Sequence, residues 1–379
     1  MESRLAPDTG LDTAALQSAV DAIHDAGMPG VQAEARVDGR VWRATAGVAD
    51  LATGRPVEPD LRQRVGSITK TFTAAATLLV ATQGRIGLDE PIGAYLPHLV
   101  PDERGNTVTV RMLLNHTSGF AEYLPFAYPS FHAFPSLPDI SPASIDDLRF
   151  RRFDPTELIA LGLAAPATGA PGGPVGVYSN TNYLLLGQLL AQVTGTTAEE
   201  YITRNVVEHA DLRHTGFPTE PELDGPHWRM YESLYGLIEP PRDYSVYDMS
   251  WVGVAAAMVS TVADLNQFFG RLFAGEIVDS SSLLAMRTTV PVIAQDGNRI
   301  DYGLGLHRFH LPGCGEVWGN DGTVWGAAAS SLISADGSRQ LSVALNLVRW
   351  NEIDASGRPR PHAIDHALHA IYRLAMGAG

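Results

Sequence analysis

The sequence predicts a mixed α/β (α+β) protein: an antiparallel sheet flanked by helices, built from both chain ends, with a mostly helical region inserted between its halves. Three observations predict this. Two alternating runs at residues 31–37 and 41–44 flank Asp38-Gly39 and read as a β-hairpin. Four more strand-like runs, at 302–309, 316–318, 327–333 and 341–347, come late in the chain. A two-stranded hairpin does not stand alone, so early and late strands must share one sheet. The intervening stretch is rich in Pro, Gly and short helical patterns. The expected organisation is therefore 11–88 with 250–379 as the sheet domain, and 89–249 as a helical domain with long loops.

Taken in order, residues 11–26 form an amphipathic helix that leads into the hairpin. From Thr71 to Gln83 runs a second helix, with Phe72, Ala75, Ala76, Leu79 and Val80 as its apolar stripe and Gly84 as its stop. Helical patterns follow at 184–193 and 197–207, then at 263–275 and 361–376. The aromatics of the 120–155 loop, Tyr123, Phe126, Tyr128, Phe131 and Phe134, are placed to roof a cleft or to pack in the core.

Length and charge narrow the function classes. A chain of 379 residues with 45% hydrophobic and 18% charged residues is globular, with room for two packed regions. Its longest apolar stretches fall far short of the roughly 20 residues that cross a bilayer. A net charge of −15 repels phosphate backbones and anionic lipid, so nucleic acid and membrane surfaces are not expected partners. Arg149, Arg151 and Arg152 stand among Asp146, Asp147 and Asp154 and read as a salt-bridged face. The single cysteine, Cys314, forms no intrachain disulfide, in keeping with a reducing compartment. No secretory signal is legible at the N-terminus, so a cytoplasmic location is expected.

Lys70 is the sole lysine among 27 Lys and Arg residues. Surface charge here is carried by arginine, so the one amine able to lose its proton stands out. It follows Ser67 by three places in Gly66-Ser67-Ile68-Thr69-Lys70-Thr71-Phe72. Positions i and i+3 share a helix face, so hydroxyl and amine are aimed at one point. A helix start also offers free N–H groups to a developing oxyanion. Two further segments are ambiguous taken singly. Tyr178-Ser179-Asn180 reads as a catalytic loop or as a buried structural tyrosine. Trp318-Gly319-Asn320-Asp321-Gly322-Thr323 reads as a glycine-rich strand edge or as a turn between strands.

In this order and at these separations, the three segments resemble the penicillin-recognising serine hydrolases: class C β-lactamases, D-alanyl-D-alanine carboxypeptidases, and their esterase and D-aminopeptidase relatives. The likeness extends over Gly87-Leu88-Asp89-Glu90-Pro91, the run from Val108 to Gly119 that contains Asn115-His116-Thr117-Ser118, Ser260 to Leu265, and Tyr302-Gly303-Leu304-Gly305-Leu306. It looks nearest to secreted actinomycete carboxypeptidases. The resemblance implies Ser67 as nucleophile, Lys70 and Tyr178 as the groups that share its proton, and Asn180 as the residue that holds the substrate amide and orients Lys70. It also implies an oxyanion hole from the N–H groups of Ser67 and Thr323, substrate contacts along Asn320, Asp321 and Gly322, and no cofactor. Trp251 is placed as an aromatic wall of the cleft or as plain core.

The chain departs from that pattern at one edge. Where relatives carry His-Thr-Gly or Lys-Thr-Gly, it has Asn320-Asp321-Gly322. Where the nearest relatives place an arginine after Tyr-Gly-Leu-Gly-Leu, it has His307. Both usual grips on a substrate carboxylate are weakened, and Asp321 would repel one. The expected activity is hydrolysis of a small-molecule or peptide amide or ester through a Ser67 acyl-enzyme. The alternatives are a biosynthetic transacylase or peptide cyclase that passes the acyl group to an amine, and a non-catalytic binding protein on the same fold. No metal is expected: His362, His366, His369 and Asp365 share a helix face, but no glutamate is placed as in His-Glu-x-x-His.

Overall fold

The computed structural model describes residues 12–101 and 103–377. The N-terminal segment, including Leu11 at the head of the expected first helix, lies outside them. The hairpin forms as strands Gly30–Val37 and Arg40–Asp50, which turn at Asp38 and Gly39, both with positive φ. It joins the late strands in one ten-stranded sheet. In spatial order this runs Arg55–Pro56, Arg40–Asp50, Gly30–Val37, Arg339–Leu345, Ala327–Ser334, Val317–Val324, His307–Phe309, Arg299–Tyr302, Val290–Ile293 and Gly176–Val177. Every pairing is antiparallel except the last, between Val290–Ile293 and Gly176–Val177.

Period-two alternation gives the sheet two chemically distinct faces. Leu341, Val343 and Leu345 pack with Leu16, Val20, Ile364 and Ile371 of the terminal helices Thr13–Asp25 and Ala363–Met376. The intervening Ser342 turns the other way and donates to Asn266 Oδ1 at 2.8 Å, on the helix Val262–Phe273. That helix starts where the Thr261 hydroxyl accepts the N–H of Asp264, a cap that satisfies one of its free donors. Its Phe268 stacks on Phe72 with ring centroids 3.6 Å apart, which fixes the helix Thr69–Thr82 beneath the sheet. Helix Thr69–Thr82 also packs against Asn180–Thr194 and the short helix Gly253–Ala256.

The sheet departs from expectation at two places and decides an open reading at a third. The run 302–309 is two strands: after Tyr302 the chain leaves the ladder at Gly303 to Leu306, and Thr71 of the helix Thr69–Thr82 donates to the Gly305 carbonyl at 2.6 Å. Of the two readings of Asn320-Asp321-Gly322, strand edge or turn, the chain takes the strand, paired with Ser331, Ser330 and Ala329. The last run ends at Leu345, and Leu347–Val348 joins a separate small sheet with Tyr231–Glu232 and Arg242–Asp243. Residues 197–207 start as the helix Ala198–Ile202, with a Thr197/Glu200 capping box, and widen into a π-turn at Thr203–Val207. In the arginine knot, Arg151 pairs with Glu157 and Arg152 with Asp248, while Arg149 donates to the carbonyls of Val246 and Asp243. Among the described residues no helix is long and apolar enough to cross a membrane.

Candidate active site

Ser67 sits in the 3-10 turn Gly66–Ile68, immediately ahead of the helix Thr69–Thr82. The strand Val317–Val324 passes so close that a side chain on Gly66 would meet the Thr323 nitrogen at 2.5 Å, and one on Gly322 would meet the Ser67 nitrogen at 2.4 Å. Two glycines are thus needed where turn and strand touch; Gly66 also has φ +55°. The Asp321 N–H is taken by the Asn320 Oδ1, so it faces the open edge of the strand. By alternation the Thr323 N–H faces the same way, toward Ser67.

Lys70 is fully buried beside Ser67. Its Nζ lies 3.1 Å from Ser67 Oγ, 2.7 Å from Asn180 Oδ1 and 3.0 Å from the Ala255 carbonyl. Burial pulls its pKa from 10.5 to about 7, and the nearby Glu122 carboxyl opposes part of that shift. Glu122, in turn, is pushed upward by burial although it accepts the N–H groups of Asn180 at 2.8 Å and Leu124 at 3.1 Å and faces Lys70.

Tyr178 lies against Lys70, with its ring 4.8 Å from Nζ, and its hydroxyl is hydrogen-bonded to Ser67. Burial drives the phenol well above its usual pKa, and that Ser67 bond recovers only part of the shift, so the resting hydroxyl is neutral. Behind it, His116 stacks at 4.2 Å and is held by N–H groups of Ser179 and Asn182 on its Nδ1, at 3.2 and 3.1 Å. Burial holds His116 well below its ordinary pKa, with Lys70 acting in the same direction. A neutral imidazole thus backs a neutral phenol.

Further along the strand edge, His307 Nε2 meets Asp321 Oδ1 at 3.1 Å. The Asp321 side chain is 64% exposed to the cleft. Its position in the cleft raises its pKa, but the His307 hydrogen bond and charge outweigh this and hold the carboxyl below its usual value. These groups open on a cavity of about 700 Å³ that includes Ser67, Tyr178, His307, Asp321 and Thr323. A hollow of about 150 Å³ near Arg62 and Glu220 contains none of them.

The fold therefore brings Ser67, Lys70, Tyr178, Asn180, Asp321, Gly322 and Thr323 to one place. Asn320 lies at the cavity floor, but its amide is committed to Thr71 Oγ1 at 3.1 Å and the Gly305 carbonyl at 3.2 Å, so it pins the strand to the helix Thr69–Thr82. Trp251 does not form the cavity wall. It is buried behind Trp325, its ring stacked at 5.2 Å, and Trp325 is the residue that lines the cavity. Of the loop aromatics, Phe131 and Phe134 reach the cavity; Tyr123 and Tyr128 are core, and Phe126 is 50% exposed on the surface. Glu122 was not singled out from sequence, where it is one acid in an aromatic loop. His362 caps its helix by accepting the Ile364 N–H at 3.2 Å, and among the described residues no group of three or more His, Cys, Asp or Glu could hold a metal ion.

A protein-family model described as Beta-lactamase matches residues 15–368. A D-stereospecific amidohydrolase from Streptomyces sp. is similar in structure, with a TM-score of 0.78 and 34% identity, covering 91% of this chain and 97% of that one. Esterase EstB of Burkholderia gladioli is 30% identical over 222 residues, 56% of this chain and 54% of the relative. A D-aminopeptidase of Cereibacter sphaeroides is 26% identical over 339 residues, 89% of this chain and 60% of the relative. The chain thus spans 54% to 60% of the length of these two curated relatives.

Proposed function

The chain belongs to the Beta-lactamase family, a serine-hydrolase-type family with members that act on amides and esters, and we propose that it hydrolyses an amide or ester through an acyl-enzyme on Ser67. The observation that carries this is the sealed amine of Lys70, 3.1 Å from the Ser67 hydroxyl and depressed to about 7. A lysine in that state gives up its proton near neutrality and serves as a base.

In the proposed cycle, neutral Lys70 takes the Ser67 proton as Oγ bonds to the substrate carbonyl carbon. The N–H groups of Ser67 and Thr323 hold the resulting oxyanion. Asn180, whose Oδ1 is occupied by Lys70, turns its Nδ2 to the substrate. The C–N or C–O bond then breaks as the Tyr178 hydroxyl passes a proton to the departing atom and is refilled from Lys70. Water attacks the ester by the same steps in reverse, releasing the acid and restoring the Ser67 hydroxyl.

On the substrate, the His307–Asp321 pair supports a departing group without a free carboxylate. An ionised Asp321 repels a terminal carboxylate and attracts an amine. The Streptomyces amidohydrolase and the Cereibacter aminopeptidase fit an amide of a D-amino acid or short D-peptide, named as they are for D-stereospecific and D-aminopeptidase activity. The same open carboxylate favours a second outcome, capture of the acyl group by an amine in place of water. Two measurements test the reading. A serine-directed phosphonate is expected to add mass at Ser67 and not to Ser67→Ala. A D-Ala-D-Ala peptide is expected to turn over more slowly than its C-terminal amide; clear preference for the free acid refutes the substrate assignment.

A further inference from the structure

We propose that the cavity is divided by the catalytic edge into two subsites of opposite chemistry, and that the aromatic one receives a bulky, uncharged, apolar acyl group. This rests on Ser67 being the acylated residue. The departing group must lie where it can take a proton from Tyr178. Tyr178 meets Tyr302 edge-on at 5.9 Å, Tyr302 stacks on His307 at 6.0 Å, and His307 bonds Asp321 at 3.1 Å. Tyr178 therefore stands on the His307–Asp321 side of Ser67, and the departing group belongs there. The acyl remainder must extend the other way along the strand, past Thr323. There the strand ends at Val324, about 10 Å beyond Asp321 at strand spacing, and Trp325 follows in the turn.

That end of the cavity is apolar. Trp325 contacts Phe131 at 5.5 Å and stacks on the buried Trp251, so its ring is held in place. Phe134, Leu137 and Ile140 complete the wall. Arg349 stands over the Trp325 ring at 4.9 Å, but its Nε and Nη2 donate side by side to the two oxygens of the buried Glu232, at 2.9 and 2.6 Å. The pair leaves this arm without net charge. Arg358 lies at the exposed mouth. A cavity of about 700 Å³ is in the size range that encloses a drug-sized ligand, more than a single small amino-acid amide fills. Its chemistry selects an aryl or long aliphatic acyl group, as in an N-capped hydrophobic peptide.

The test compares p-nitrophenyl phenylacetate with p-nitrophenyl acetate on the full chain, because one leaving group then serves both. The expected ratio of kcat/KM is at least about tenfold in favour of the larger acyl group, the gain from burying one ring. Ala328 lies opposite Thr323 on the neighbouring strand and lines the cavity, so Ala328→Phe fills the arm. Phe134→Ala opens it. Both are expected to lower the ratio at least about threefold, whatever happens to the absolute rates. A parent ratio near one, or a ratio untouched by both substitutions while Ser67→Ala abolishes turnover, overturns the subsite assignment alone. Full turnover by Ser67→Ala overturns the underlying acyl-enzyme reading as well.

Discussion

Lys70 reaches Ser67 from inside the protein: its Nζ is 3.1 Å from the Ser67 Oγ, yet the side chain has no exposed surface. Burial is what makes this lysine useful, because it disfavours the ammonium and brings the pKa to about 7. Below that value the amine holds a proton and cannot accept another. Turnover of an amide should therefore rise with pH through about 7 and level off above it. Lys70→Arg keeps the positive charge but never releases its proton, so it should lose the ascending limb together with at least about a thousandfold of kcat. A pH–rate profile of parent and variant checks both.

Tyr178 should matter in proportion to how badly the leaving group needs a proton. An amide nitrogen departs only when protonated, whereas p-nitrophenolate leaves as an anion. Tyr178→Phe keeps the ring on His116 and removes only the hydroxyl bonded to Ser67. It should reduce kcat on an anilide or amide by about 100- to 10,000-fold and on the nitrophenyl ester by much less. Equal losses on both substrates would place the hydroxyl in Ser67 activation instead.

Glu122 sets the position of the pH limb. Its carboxyl raises the pKa of Lys70 against the larger pull of burial. The Asn180 and Leu124 N–H groups are accepted by separate oxygens of the carboxylate, so Glu122→Gln keeps an acceptor for one of them while it removes the charge. The ascending limb should move to lower pH without loss of folded structure by circular dichroism. An unmoved limb would mean that the carboxyl is already protonated in the resting enzyme.

What the sequence disclosed depended on whether the signal was local. The hairpin at Asp38-Gly39 and the Ser67/Lys70 pair follow from period and spacing, and a chain with one lysine makes that pair conspicuous. Glu122 has no such signature: its partner is the N–H of Asn180, 58 positions away, and no spacing rule connects them. Trp251 and Trp325 share a stack, so the family resemblance could nominate Trp251 as an aromatic wall but not say which face of the stack is open. Asn320-Asp321-Gly322 carries turn-forming residues for a tertiary reason. Asn320 ties the strand to Thr71, Asp321 meets His307, and Gly322 clears the backbone at Ser67. Local propensity gave way to what the neighbouring turn required.

The buried pair of Glu232 and Arg349 joins the small sheet to the wall of the cavity. Glu232 is fully buried and Arg349 is 17% exposed, with two hydrogen bonds between them. Removing one partner leaves the other charge in a low-dielectric site, which costs about 3 to 5 kcal/mol. Glu232→Gln should therefore lower the urea midpoint clearly, without change in the m-value.

Gly322 offers the most direct probe of the proposed oxyanion site. A methyl group there would lie 2.1 Å from the Val65 carbonyl oxygen and 2.4 Å from the Ser67 nitrogen. Neither is a flexible side-chain end, so Gly322→Ala must push the strand away from the 3-10 turn. The Thr323 and Ser67 N–H groups would then diverge, and a hole that depends on both pointing at one oxygen would lose a donor. Loss of one such donor costs about 100- to 1,000-fold in kcat. The Lys70–Ser67 pair lies within the helix and its preceding turn, so the pH limb near 7 should survive in the residual activity. A variant that lost the limb as well would show that the strand, and not the helix alone, keeps Lys70 dry.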